Sequence, residues 1–399
     1  MQASAKQLQL TVDAGPHDRH QCPVTVEAPL PGGFSPPTRA EAATAGEGPE
    51  ALGCTGVQVA PVGGGQPLPG QFSVGEGGGK VALTFLLEQL AAGQSRDFLV
   101  TWGGQAPQGV QLKQIGEAKL SFAIGQQTFT TYNYGRDLAR PNLYPVCGPG
   151  GAEVTGYAPS DHKHHKSIYV AHGEVNGHDN WSEGEGHACT VHRKLTRSLE
   201  GPVFAEVEAL SDWQTAEGQK LMDELTAIRA YNLPESGRIL DFDIRLTASE
   251  GEVHFGDTKE AGILSVRVTA ALEVPNGGTI TNSFGGTNEP ETWGKRAHWC
   301  DYSGEIGGRA MGIAIFDHPR NFRHPTYWHV RDYGLMTANC WGISMFENDP
   351  SRSGAYTFAP GETLRFRYRV YVHGGDVQAA DVRGKYLDYC APPGAKVGA

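Results

Sequence analysis

No stretch of the chain approaches the ~18 uninterrupted apolar residues that a membrane-spanning helix needs. The best run, Val81 to Leu87, stops at Glu88. Cysteine is sparse and scattered: Cys22, Cys54, Cys147, Cys189, Cys300, Cys340 and Cys390 form no Cys-x-x-Cys pair. That spacing excludes a zinc ribbon and a disulfide scaffold and leaves reduced structural thiols. Basic charge is short as well, with 33 Lys and Arg against 44 Asp and Glu and a net charge of −11. Nothing in that balance attracts phosphate backbones or anionic lipid, so neither nucleic acid nor membrane is expected as a partner. Helical periodicity is rare. The one amphipathic helix predicted runs from Val377 to Tyr389, with Val377, Ala380, Val382 and Leu387 on its apolar side. The opening Met1-Gln-Ala-Ser-Ala-Lys6 lacks the basic-then-apolar pattern of an export signal. The expected compartment is the cytoplasm, or the periplasm if a signal peptide was removed.

What abounds is punctuation. The 399 residues include 54 Gly and 25 Pro without a fixed period, so turns are frequent and short strands outnumber helices. Leu8, Leu10 and Val12 alternate with polar neighbours, as do Val24 with Val26 and Val57 with Val59. Pro31-Gly-Gly33, Gly63-Gly-Gly65 and Gly77-Gly-Gly79 supply turns between them. Residues 1–105 therefore read as a small β-sandwich domain. Trp102-Gly-Gly-Gln-Ala-Pro-Gln-Gly109 reads as a linker, and 110–395 as a second domain of longer strands. Leu240, Phe242, Ile244 and Leu246 share one strand face, with Asp241, Asp243 and Arg245 opposite. Leu364, Phe366, Tyr368, Val370 and Val372 repeat the pattern against Arg365, Arg367 and Arg369. That arginine stripe is either the wall of a polar groove or a plain solvent face. So long an antiparallel assembly suits a doubled sandwich or a large jelly roll.

Unusual side chains collect in three places. Seven of fifteen histidines lie between 162 and 192, around Pro159-Ser-Asp-His-Lys-His-His-Lys166. In an extended segment His162 and His164 would point to one side and His165 to the other. Imidazoles there could hold a metal or act as acid and base. Asp161, His172, Asn180 and Trp181 add polar reach and an aromatic plate suited to a sugar ring. The second place is His254-Phe-Gly-Asp-Thr-Lys-Glu260, where Asp257, Lys259 and Glu260 form a mixed charge set. The third, Asn282 to Asp332, carries Glu289, Trp293, Lys295, Arg296, Arg323, Tyr327, Trp328, His329, Arg331 and Asp332. Charged groups alternating with aromatics suit a cleft that stacks on a polar ring, or a polar network bracing two sheets.

Five segments, in this order, resemble the bacterial PmoA-like family of unknown function over about 130–390. They are Arg140-Pro-Asn-Leu-Tyr-Pro-Val-Cys-Gly-Pro-Gly-Gly151, Asp161-His-Lys-His-His-Lys166, Phe255-Gly-Asp-Thr-Lys-Glu260, Trp293-Gly-Lys-Arg-Ala297 and His324-Pro-Thr-Tyr-Trp-His-Val-Arg-Asp-Tyr-Gly334. Family members carry Pro and Arg where this chain has Lys163 and Lys166. They are often labelled methane oxygenase-like, a label at odds with a chain that has no spanning run. The strand pattern is also similar to galactose-mutarotase-like supersandwich proteins, which implies an all-β supersandwich preceded by the small sandwich domain. That resemblance implies a carbohydrate-processing enzyme that abstracts a proton from a sugar or oxidised sugar, as a lyase, an epimerase or a glycoside-cleaving enzyme. In this reading His165 or His329 is the base, with His164 beside it and Glu260 or Asp332 orienting it. Lys295, Arg296 and Arg331 hold developing negative charge, and Trp181, Trp293 and Trp328 stack on the ring. A divalent metal on His162 and His164 is the one cofactor suggested. His165→Ala is expected to abolish turnover while stability changes by less than ~1 kcal/mol. The alternatives are a non-catalytic carbohydrate-binding module and a metal-dependent oxygenase-like protein.

Overall fold

A computed structural model describes residues 7–29, 56–74, 81–234 and 237–398. The expected turns at Pro31-Gly-Gly33 and Gly77-Gly-Gly79, and Cys54, lie outside the described residues. The other six cysteines are free thiols. The chain is all-β, and its strands form three sheets whose ladders are antiparallel. Among the described residues, no helix is long and apolar enough to cross a membrane.

Two large sheets make the body of the molecule. In the eleven-stranded one the main path runs Tyr327–Arg331, Leu335–Asn339, Ala261–Arg267, Ile168–Val175, Asn142–Val146, Gln127–Asn133, Lys119–Ile124, Val110–Ile115. The eight-stranded one runs Cys189–Leu199, Phe204–Gln214, Lys220–Tyr231, Gly237–Thr247, Thr363–Gly374, Arg309–Asp317, Trp299–Ile306, Thr279–Asn282. They face each other across one apolar core, with Val170, Leu264, Trp328 and Met336 from the first meeting Ile228, Phe242, Ile313 and Val370 from the second. Period-two alternation explains which side chains enter it. Leu240, Phe242, Ile244 and Leu246 all do, as do Phe366, Tyr368, Val370 and Val372, while Leu364 packs at the margin.

The arginine stripe is neither a groove wall nor an open face. Gly237–Thr247 and Thr363–Gly374 are neighbours, so the acidic side of one meets the basic side of the other. Arg369 donates to both Asp241 oxygens at 2.6 and 2.8 Å, and Arg365 Nε donates to Asp243 at 2.9 Å. Tyr231 and Tyr389 lie against the Arg369 guanidinium. The helix there is shorter than the sequence suggests, Val382–Cys390 rather than 377–389. Asp381 has φ 47°, a left-handed conformation that interrupts the helix, and its side chain caps the new start by accepting from Gly384 N–H.

Among the described residues, those in 7–101 contribute six strands to a seven-stranded sheet, and residues 102–109 form no strand. Its seventh strand, Gly394–Val397, comes from the far end of the chain and pairs with Gln7–Asp13, placing Leu10 opposite Val397. The outermost strands, Arg19–Ala28 and Gly394–Val397, approach each other, so the sheet curls around Val24, Leu83, Phe85 and Phe98. Arg19 pairs with Asp388 of the helix at 3.1 Å, both side chains buried. Gln71 accepts from the N–H groups of Val203 and Phe204, each at 3.0 Å. Those contacts tie the small sheet to the large body.

Candidate functional site

The outer face of the eleven-stranded sheet carries a polar row. Register places His329 opposite Thr337, Thr337 opposite Ser265, Ser265 opposite Tyr169, Tyr169 opposite Asn142, and Asn142 opposite Asn133. Thr337 Oγ1 donates to Ser265 Oγ at 3.1 Å, and Asn133 Nδ2 donates to Asn142 Oδ1 at 3.2 Å. One step along, Leu335 separates Arg331 from Arg267. An outward sheet face is ordinarily solvated, yet His329, Thr337, Ser265, Tyr169 and Asn142 are all buried. Trp181 packs on Tyr169 and on His165 of the histidine loop.

The histidine loop is not extended. His162 N–H donates to the Pro159 carbonyl and His165 N–H to that of His162, each at 3.0 Å. Two consecutive turns therefore bring His162 and His165 together, where alternation would have parted them. Their rings stack at 4.7 Å and 13°, and Tyr333 stacks on His162 at 4.6 Å and 18°. His164 meets His165 edge-on at 4.4 Å, and Trp181 backs both. Arg140 fastens this loop to the segment of Trp181 and Glu183, donating to Glu183 at 2.8 Å and to the carbonyls of Trp181 and His164.

Charges around this face come in pairs. Arg267 donates to Glu273 at 2.6 Å and to His165 Nδ1 at 3.3 Å, with its guanidinium against the Tyr333 ring. Arg331 pairs with Glu289 at 3.1 Å and also lies against Tyr333. Lys259 pairs with Glu260, whose carboxylate acts on both His164 and Tyr333. Asp161 Oδ2 lies 2.9 Å from His162 Nδ1. Slight burial works to raise the Asp161 carboxyl, but the His162 imidazole and its own backbone N–H together hold it below its ordinary range.

Burial dominates the histidines. It pushes His164 down to about 4, with Arg140 and His162 adding to the effect. Burial, then His164 and Arg267, hold His165 down at about 2. Burial, then Lys259 and Arg331, hold His329 at about 3. These imidazoles are neutral at pH 7. With Arg267 donating to its Nδ1, His165 keeps its proton on Nε2, which makes it a donor. His329 bonds the Lys259 backbone, and its Nδ1 is buried without a partner. The same face leaves Arg140 Nε, His162 Nδ1, Ser167 Oγ, Tyr169 OH, Asn180 Nδ2 and Arg331 Nε unsatisfied. Buried polar atoms are rarely unmatched, so such a concentration marks a place for ordered water or ligand.

The stretches around 161–165, 259–260 and 329–333 therefore meet, but several expected roles do not survive. Trp328 is 0% exposed in the inter-sheet core, with its indole N–H on the Ala297 carbonyl, so it cannot stack on a ligand. Trp181 is buried behind the histidines and serves as their backing. His172 faces inward, bonded to the Gly256 carbonyl at 3.0 Å and stacked on Phe255. Asn180 is buried, accepting from Thr190. Asp257 accepts from the N–H groups of Ser344 and Gly354 and so fixes a loop. Arg323 and Arg296 are braces: the first donates to the carbonyls of Cys340 and Gly354, the second to those of Pro325, Arg323 and His324. Tyr327 and Trp293 turn to Phe346, and Tyr327 also bonds Glu347. Lys295 is exposed and touches no group of the site. Asp332 and Glu289 clasp each other's backbone N–H at 2.9 Å, so Asp332 orients no histidine. Glu260 bonds Lys259 rather than His165 or His329.

Arg267, Glu273, Arg140, Glu183 and Tyr333 were not singled out from sequence. One signal was there for Arg267: Ser265 and Arg267 alternate with Leu264 and Val266, the mark of a polar strand face. Among the described residues no three His, Cys, Asp or Glu side chains are placed to hold a metal. The Arg267 cation at His165 Nδ1 also opposes a second one there. His162 and His164 thus do not make the expected metal site. A cavity of about 30 Å³ lies between the large sheets, lined by Glu224, Thr226 and Thr190 among apolar groups. It has room for about one water.

The buried neutral histidines make stability depend on pH. The folded-state values of His165, His172 and His329 are about 2, 3 and 3, below the ordinary 6.5, so unfolding takes up protons below that pH. Their contribution is whole above pH 6.5 and is lost as pH falls. Unfolding free energy should drop between about pH 7 and pH 5 by on the order of 1 kcal/mol per pH unit per histidine. Urea denaturation across that range checks it, and His172→Asn should flatten the slope; identical slopes would contradict it.

No curated protein matches the chain. One similar solved structure is a protein in glycosyl hydrolase family 38 from Enterococcus faecalis, with 10% identity and a TM-score of 0.37, covering 99% of this chain and 48% of that one. This chain thus spans about half the length of that protein, and a likeness so loose does not bear on the site. Residues 119–386, well over half the chain and holding every group of the polar face, match the model of a family described as being of unknown function (DUF6807), and the protein belongs to that family.

Proposed function

We propose that the protein processes a carbohydrate by moving a proton on a sugar ring, as a lyase, an epimerase or a glycoside-cleaving enzyme. The observation that carries this reading is the meeting of the Asp161–His162 pair with Tyr333 and the paired arginines on one buried polar sheet face. His162 is the best-placed base. Asp161 Oδ2 lies 2.9 Å from its Nδ1, the neighbouring placement of carboxylate and imidazole that general-base histidines require, although the two are not aligned as a hydrogen bond. Its side chain is 29% exposed, so a ligand can reach it. Tyr333 offers an aromatic surface beside it. Arg331 and Lys259 supply donors where an enediolate or alkoxide would form.

One observation favours a second reading, sugar binding without turnover. His164, His165 and His329 are held neutral far below their usual range, which suits hydrogen bonding better than proton transfer. Incubation with a panel of mono- and oligosaccharides in deuterium oxide, followed by NMR, separates the two. Deuterium entering a ring carbon, or a new product, supports catalysis. Saturable shifts with no exchange over days would move the protein to the binding class, and no response to any sugar would end both readings.

A further inference from the structure

We infer that the ligand of this face is an uncharged, hydroxyl-rich ring and not a uronate or other sugar acid, an inference that rests on the carbohydrate reading above. Five basic side chains gather at this face. Each already has a carboxylate partner, Arg140 and Lys166 sharing Glu183, Lys259 with Glu260, Arg267 with Glu273, Arg331 with Glu289. Asp161 beside His162 and Asp332 beside Glu289 add two more carboxylates. With His164, His165 and His329 neutral, these five cations face six carboxylates. Lys163, the remaining cation of the histidine loop, is exposed and contacts none of these groups, where solvent screens it.

A ligand carboxylate could reach Arg331 Nε, which has no partner, but it would bring a second anion beside Glu289 with no further cation to balance it, and that crowding of like charges is unfavourable. The net charge of −11 works in the same direction at long range. A neutral polyol meets no such obstacle. Hydroxyls donate to carboxylate oxygens and accept from guanidinium N–H at once, and the paired Glu–Arg arrangement offers both within one reach. Arg331 with Glu289, and Lys259 with Glu260, are partly exposed pairs of this type, and Arg331 lies against Tyr333.

Isothermal titration calorimetry with neutral hexosides and their matching uronides, at low and moderate salt, tests this. The neutral member of each pair should bind at least about tenfold more tightly. Its affinity should be insensitive to salt. Uronides binding as well or better, and weakening with salt, would overturn the inference while leaving the carbohydrate reading intact. If neither series binds, the carbohydrate reading fails and this inference falls with it. Glu289→Gln supplies an independent check, since it frees Arg331. The variant should gain uronide affinity and lose neutral-sugar affinity; unchanged preference would count against the charge-pairing explanation.

Discussion

Arg267→Leu should lower the unfolding free energy by about 3 kcal/mol, the lower end of what removal of one member of a buried ion pair causes. Arg267 is 4% exposed in its side chain, whereas Glu273 is 17% exposed and can recover some hydration. The guanidinium is bonded to Glu273 and His165 at once and lies against Tyr333, so its loss unties three strands of contact together. Arg267→Lys should recover part of the loss, because an ammonium restores charge but not the two-pronged geometry. Guanidinium denaturation of the three proteins measures this. A loss under ~1 kcal/mol for the leucine variant would mean that the pair is screened as a surface pair is.

His162→Gln should reduce sugar-proton exchange by about a hundred- to ten-thousand-fold, the usual contribution of a general base. Its unfolding free energy should move by less than ~1 kcal/mol, as for a partly exposed group outside the core. His165→Ala should behave differently from what the sequence suggests. His165 is 1% exposed and accepts from Arg267, so its removal opens a cavity and strips a partner from a buried cation. That should cost about 2–4 kcal/mol. Exchange rates and melting curves of the two variants, measured side by side, decide between them. A fully active His162→Gln protein would falsify the assignment of the base.

The strands were the most legible part. Alternation around 240–246 and 364–372 marked the core faces correctly because burial on one side of a pleated strand imposes period two on the sequence. The same rule, applied to Tyr327-Trp-His-Val-Arg331, separates Trp328 and Val330 from His329 and Arg331, and so would have kept Trp328 out of the site. Asn176-Gly177 sits at a tight hairpin between Val175 and His178, with both residues at positive φ. What could not be read was partnership across long separations. Nothing near Arg365 or Arg369 announces Asp243 and Asp241, because strand neighbours are chosen by topology and not by local sequence. The histidine loop misled for a different reason: no local signal fixed its turns, so the i, i+3 stacking of His162 on His165 emerged only from the backbone.

The return of Gly394–Val397 to the side of Gln7–Asp13 sets a timetable for biosynthesis. The small sheet, made before the large ones, cannot be finished until the chain has been made as far as residue 397. Throughout translation of the large sheets, Gln7–Asp13 is left with bare amides and carbonyls along one side, open to capture by any other strand, including one from a neighbouring nascent copy.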